Sequence, residues 1–226
     1  MSANNRLPHG YTNKTRRVGG IVEKEFGGRD ATARIRREAE CLRRVASMLP
    51  VPEVVEINEE RRTLRTKWID GTPGQALMQS GAPRAVLTAT GSLLRELQSE
   101  SVQSIIAPVL EPGGTIAVHG DFGPQNLLLD AHAEVVALFD WEFARMGDAI
   151  DDLAWAEWIV RTHHANDIDA LDKLFIAYST RPSWHVRHEA MTAHCQRLLN
   201  RCQREGLVDA EQTWRRRLSV TERWQE

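Results

Sequence analysis

Apolar and polar positions along this chain change period several times, and each change predicts an element. Residues 30–49 carry Ile35, Ala39, Leu42, Val45, Ala46 and Leu49 at helical spacing, so a helix is expected there. At about 100° per residue, Glu38 falls inside that apolar stripe while Glu40 lies nearly opposite. A carboxylate on a core-facing stripe needs a cationic partner to offset its desolvation. Residues 10–26 read as two or three short strands, and Val22, Lys24 and Phe26 share one face of the second half. A lysine between two apolar neighbours either snorkels at a sheet edge or reaches into a cleft. Lys24 is the available partner for Glu38.

Further along, Pro50 and Pro52 end the helix, Asn58–Arg62 is a polar turn, and Leu64–Trp68 reads as a strand before an Asp70-Gly71 turn. Residues 83–99 form a helix with Val86, Leu87, Leu93, Leu94 and Leu97 on its core face. Thr115–Val118 is a short strand leading into a tight polar loop. Two apolar runs follow, Leu127–Leu129 and Val135–Phe139, joined by a turn at Asp130–Glu134. A hairpin of this kind brings its outer ends together, so Asp140 should lie beside the loop holding His119, Asp121 and Asn126. The rest reads as helical, roughly 149–163, 168–178, 183–205 and 209–224, with Asp148 expected as an N-cap and Asp151 and Asp152 in an acidic first turn. Trp155 and Trp158, three apart, are expected in the core.

Composition narrows the class. At 226 residues the chain can bury a real core, as two lobes or two small domains. A net charge of −2 implies neither a nucleic-acid nor a membrane field, and it excludes a basic DNA-binding helix. Three cysteines, Cys41, Cys195 and Cys202, without a C-x-x-C pair, are expected to be reduced thiols, and Cys195 and Cys202 to share a helix face. The N-terminal residues lack the apolar core of a signal peptide, and no run reaches the ~18 residues of a membrane span, so a cytoplasmic protein is expected.

The chemistry lies in the polar loop. Asp121 and Asn126, five apart, offer a carboxylate and a carboxamide to one site, with Gly120, Gly123 and Pro124 setting the bends. Magnesium takes a few hard oxygen ligands plus phosphate, which Asn126 and Asp140 would supply, leaving Asp121 to orient and deprotonate a hydroxyl. These residues spell H-x-D-x-x-x-x-N followed by a metal aspartate, which resembles the kinase catalytic loop. With His119-Gly120-Asp121 and Asp140-Trp141-Glu142, the chain is most similar to the aminoglycoside phosphotransferase and choline kinase family.

That resemblance implies an α+β, protein-kinase-like two-lobe fold: an N-terminal antiparallel sheet with one helix, and a mainly helical C-terminal lobe containing the catalytic hairpin. Residues 1–69 would be the nucleotide lobe and hinge, and 70–226 the catalytic and substrate lobe. It implies ATP and Mg2+ as cofactors, with His119 and Asp121 in the catalytic loop. The Lys24–Glu38 pair, reached from periodicity, matches the family's lysine–glutamate pair, and R-E-A-E-C-L looks like its R-E-x-x-x-L. Gly10–Thr15 resembles its phosphate-covering turn, which would place Asn13 and Thr15 near nucleotide. Its hinge would fall on backbone groups of Lys67 and Ile69, with Thr66 at the back of the pocket.

The expected reaction is transfer of the ATP γ-phosphate to a hydroxyl of a small molecule. A protein kinase is disfavoured by Gly123 in place of a lysine and by the lack of an A-P-E sequence. The alternative is a nucleotide-binding pseudokinase with a regulatory role, although the base, the metal ligands and the lysine are all present. From Asp140 to Lys173 nine acidic residues face three basic ones, which favours an amine-bearing acceptor such as an aminoglycoside, amino sugar or amino alcohol. Caps and surface charges would give the same count. Nothing in the sequence bears on oligomeric state.

Overall fold

A computed structural model describes residues 13–226. Gly10–Thr12 of the proposed phosphate turn, and the N-terminal residues read for a signal peptide, lie outside the described residues. Strands β1 (Asn13–Val18), β2 (Ile21–Phe26), β3 (Val54–Asn58) and β4 (Thr63–Lys67) make an antiparallel sheet of order β1-β2-β4-β3. Helix α1 (Ala31–Val45) packs on one face, with Ile35, Ala39, Leu42 and Val45 fully buried as the stripe required. The alternation in β2 sends Lys24 and Phe26 to the helix side. Glu23, on the other face, is held by Arg16 and by Arg65 Nε (2.7 Å).

The chain then crosses into a mainly helical region. A short strand β5 (Thr72–Pro73) precedes α2 (Gly74–Gln79) and α3 (Pro83–Leu97), whose predicted core face is buried. After α3 comes α4 (Glu100–Ile106), which buries Val102 and Ile106 behind a Ser99 cap. The hairpin is as expected: β7 (Leu127–Leu129) pairs with β8 (Val135–Leu138), Leu127 opposite Leu138. Its turn is closed by Asp130, whose Oδ1 accepts from the amides of His132 (2.8 Å) and Glu134 (3.0 Å). β5 adds to β7, and β6 (Ile116–Val118) pairs with a strand not foreseen, β9 (Arg145–Gly147). These pairings join residues far apart in sequence, so no local pattern announces them.

Four helices complete the chain: α5 (Ile150–His163), α6 (Leu171–Tyr178), α7 (Trp184–Glu205) and α8 (Val208–Thr221). Asp148 is not the N-cap of α5. The cap position is Ala149, without a side-chain bond, and Asp148 instead donates its amide to Asp151 Oδ2 at 3.2 Å. Cys41, Cys195 and Cys202 are buried free thiols, the last two on one face of α7. No described helix is long and apolar enough to cross a membrane.

Two clusters form the core. The larger runs from the sheet and α1 through α3 to the catalytic hairpin; the smaller joins α5, α7 and α8 around Trp155 and Trp158. The catalytic loop lies where they meet.

Candidate active site

The loop from His119 to Asn126 is held by backbone bonds before any side chain acts. Gly120 has φ +82°, and a Cβ there would collide with the Phe143 carbonyl, so the first bend needs glycine. Beneath it, the buried Asp152 accepts the amides of His119 (2.7 Å) and Gly120 (2.9 Å). Asp152 is therefore more than a helix-start residue: it clasps the loop onto α5. The far end is tied by Phe139, whose amide donates to the Asn126 carbonyl at 3.1 Å. That bond sets Asn126 next to Asp140, which has φ 70° and ψ 51°. A left-handed aspartate is strained, and such strain concentrates at functional sites.

His119 was expected among the catalytic residues, and the structure gives it another role. Its ring is fully enclosed, with Nε2 bonded to the Phe139 carbonyl (3.0 Å) and Nδ1 accepting the Asp121 amide (3.3 Å). Burial pushes its pKa down to about 4 despite the nearby Asp140, so a neutral ring donates through Nε2 and accepts through Nδ1. His119 positions the loop and is closed off from reactants.

Asp121 carries three side-chain bonds. Oδ1 accepts Trp155 Nε1 at 2.7 Å and Gln125 Nε2 at 3.3 Å, while Oδ2 accepts Asn126 Nδ2 at 2.9 Å. Burial, and then the Asp140 charge, push its pKa up to about 7; the Trp155 and Asn126 bonds oppose them. A carboxylate raised in this way is matched to taking a proton near neutral pH.

Opposite lies the lysine. Lys24 Nζ donates to Glu38 Oε2 at 2.7 Å and to Asp140 Oδ1, and stands 3.7 Å from Glu142 Oε1. Burial by itself would lower the lysine pKa, but the three carboxylates outweigh it and hold Lys24 above the ordinary value. Burial pushes Glu38 the other way, up to about 7, against the pull of Lys24. Glu40 faces outward and pairs with Arg44 at 2.8 Å. The helical stripe thus distinguished the two glutamates correctly.

Periodicity also contained a partner that went unread. Arg34 lies one turn before Glu38 on the same face, is 2% exposed, and binds the Glu142 carboxylate, which is 1% exposed. Its Nε donates to Asp30 at 3.0 Å and its Nη2 to the Gly27 carbonyl. Arg37 adds a bond from Nη1 to the Glu142 carbonyl at 2.9 Å. Asn13, assigned to the phosphate turn, donates its amide to Glu142 Oε1 at 2.8 Å and is buried there. The Asp-Trp-Glu tripeptide is thus a hub: Asp140 meets the lysine, and Glu142 locks β1 and α1 onto the catalytic hairpin.

Thr15 stands directly across from Lys24 in the β1–β2 register, and so on its face of the sheet. Thr66 is half-buried opposite Val22. Lys67 donates its amide to the Glu53 carbonyl (2.9 Å) and its ammonium to the Glu53 carboxylate (2.5 Å), so that N–H is committed to the sheet.

The acidic stretch after Asp140 is largely spent inside the protein. Asp151 pairs with Arg145 (2.7 Å), Glu157 with Arg187 (2.6 Å) and Arg161 (2.8 Å), and Asp172 with Arg84 (3.2 Å). With Asp140, Glu142 and Asp152 also engaged, the sequence count no longer argues for an amine on the acceptor.

An antiparallel sheet with a lysine–glutamate pair, set over a helical region whose hairpin carries Asp121, Asn126 and Asp140, is the protein-kinase-like fold of small-molecule phosphotransferases. The model of the phosphotransferase enzyme family (APH) matches residues 100–190, the segment holding the catalytic loop and hairpin, which bears out the resemblance read from sequence. Among solved structures, the GDP complex of aminoglycoside 2'-phosphotransferase-IIIa superposes with a TM-score of 0.73 at 13% identity, covering 96% of this chain and 91% of that one. The streptomycin–ATP–APH(2")-IIa ternary complex gives 0.63 at 15%, covering 92% and 89%. A choline/ethanolamine kinase family protein from Mesorhizobium loti gives 0.66 at 17%, covering 96% and 84%. At these identities the superpositions show a shared fold. No curated protein matches the sequence.

Proposed function

We propose that the protein transfers the γ-phosphate of ATP to a hydroxyl of a small molecule, with Mg2+ as cofactor. The observation that carries this reading is Lys24, bonded at once to Glu38 on α1 and to Asp140 on the hairpin, 116 residues away. A lysine so placed meets nucleotide phosphates beside the metal aspartate, with Asp121 across the loop.

The residues fit a magnesium ion. Asn126 spends its amide nitrogen on the Asp121 carbonyl (2.7 Å) and carboxylate (2.9 Å), which turns its side-chain oxygen the other way. That oxygen and the Asp140 carboxylate are the hard donors magnesium takes when phosphate and water supply the remainder. When bound, the ion would neutralise charge on the phosphate oxygens.

In the reaction Asp121 accepts the proton of the acceptor hydroxyl as that oxygen attacks the γ-phosphorus; the bond to the β–γ bridging oxygen breaks and ADP leaves. Lys24 steadies the phosphates and Glu38 steadies Lys24. Residues up to 69 form the nucleotide lobe and the remainder the catalytic lobe. Thr15 faces the phosphates, and Thr66 lies at the back of the base pocket. At the hinge, the Lys67 carbonyl and the Ile69 amide are the contacts left once the Lys67 N–H is spent on Glu53. The solved relatives named for GDP and for ATP support nucleotide use, and those named for streptomycin and for choline or ethanolamine support small hydroxyl acceptors.

Purified protein incubated with ATP, magnesium and pools of hydroxyl compounds tests this directly through ADP release. Acceptor-dependent release that is lost in Asp121→Asn and on chelation is the expected result. Release indifferent to both would remove the assignment.

A further inference from the structure

The contact between Trp155 and Asp121 joins the smaller core cluster to the base, and the loop motif does not include it. A carboxylate offers about four acceptor directions, two on each oxygen. Oδ1 has two donors, Trp155 Nε1 at 2.7 Å and Gln125 Nε2 at 3.3 Å. Oδ2 has one, Asn126 Nδ2 at 2.9 Å. The two oxygens are therefore unequal, and Trp155 makes the shorter of the bonds to Oδ1.

The indole is itself fixed on both faces. Trp158, three residues on along α5, stacks on it at 4.4 Å with the planes 7° apart. His194, from α7, stacks on the other face at 3.7 Å, also at 7°. His194 is 6% exposed and kept neutral by burial and by Arg197 and Arg145, so it adds no charge to the stack. Trp158 is anchored in turn through Nε1 to Thr221 Oγ1 on α8 at 2.9 Å. An indole held in this way has little freedom to swing its N–H off the carboxylate.

We propose that Trp155 is a positioning residue for the reaction: together with Gln125 it saturates Oδ1 of Asp121 and so makes Oδ2 the oxygen that receives the hydroxyl proton. The inference rests on the reading of Asp121 as the base. It gives α7 and α8 a part in turnover, since they set the plane of the ring that aims the carboxylate.

Two measurements test it. In the first, the indole N–H resonances of the seven tryptophans are recorded in 15N-labelled wild type and in Asp121→Asn, with the Trp155 signal assigned from Trp155→Phe. The Trp155 signal should shift upfield when the charged acceptor becomes an amide, while the others hold. An unmoved Trp155 signal overturns the proposal, and this arm needs no activity and no folded Trp155 variant beyond the assignment.

The second arm measures ADP release from Mg-ATP, with water and then a hydroxyl-compound pool as acceptor, for wild type, Trp155→Phe and Trp184→Phe. Trp184, on α7, takes the same substitution away from the base. Trp155→Phe should lower kcat about tenfold to a hundredfold with the KM for ATP unchanged, as misaimed catalytic groups do. Trp184→Phe should leave both near wild type. Equal kcat in the two variants overturns the role of Trp155 and leaves the phosphotransferase reading intact. A wild type without turnover overturns that reading, and this proposal with it.

Discussion

The candidate site is walled by two regions built from opposite kinds of interaction. On one side, Lys24, Glu38, Arg34, Glu142 and Asp140 form a buried ionic network that ties β2 and α1 to the hairpin. On the other side, Trp155, Trp158, His194, Trp214 and Trp224 form an aromatic cluster with His194 neutral. Desolvated charges are stable only while every partner is present, so the first wall is sensitive to any loss of a partner. In the proposed reaction it would also suit an exchange of partners, with phosphate drawing on Lys24 and a cation on Asp140. Stacked rings have no such alternative partners, and the second wall can hold a fixed reference for the base.

Asp121, on the seam between them, should show the largest effect. Asp121→Asn is expected to cut turnover by about 10²–10⁴-fold while leaving ATP affinity nearly intact, because only the base is lost. Steady-state kinetics beside equilibrium nucleotide binding reads both quantities, and wild-type turnover in this variant would remove Asp121 from the mechanism.

Breaking the ionic wall should come next. Arg34→Ala takes the nearest cation from the buried Glu142 carboxylate, leaving Oε2 without its partner, and is expected to destabilise the fold by about 3–5 kcal/mol in urea unfolding. The paired change Arg34→Met with Glu142→Gln should recover part of that loss, because no uncompensated charge remains. A single-variant loss below about 1 kcal/mol would mean that the pair behaves as a surface pair.

Lys24 and Glu38 test whether that wall serves nucleotide. Lys24→Ala should weaken ATP binding or rate, Glu38→Ala should do so less, and the double variant should be little worse than Lys24→Ala alone. Additive effects would deny that the two act through one interaction. Glu40→Ala, on the face opposite the stripe and paired with Arg44 at the surface, should change neither quantity.

The aromatic wall should yield the smallest change when its rim is trimmed. Thr221→Val removes the acceptor of the Trp158 N–H and the donor to the Arg217 carbonyl, and is expected to cost about 1–3 kcal/mol of stability, the penalty of a buried donor left unpaired. Thermal melting measures this, and a cost as large as that of Arg34→Ala would erase the contrast between the walls.

Much of the site was legible because its residues sit close together in the chain or on one periodic face. Asp121 and Asn126 share a six-residue loop, the hairpin carries Asp140 back to that loop, and a single helical stripe distinguishes Glu38 from Glu40. Local sequence sets such relations, since turn residues and side-chain period act over a few positions. The same stripe held Arg34, whose importance appears only once Glu142 is seen opposite it, 108 residues on.

What tertiary structure decided is where the long-range partners fall. Asp148, Asp151 and Asp152 read alike as helix-start acids; packing left the first exposed, gave the second to Arg145, and put the third under the catalytic loop. His119 belongs to the motif, yet its enclosure makes it a brace. Trp155 read as core and is core, while its one polar atom reaches Asp121. Sequence period fixes which face a side chain takes; which group meets it there depends on how distant elements dock, and for a buried polar atom that partner determines its role.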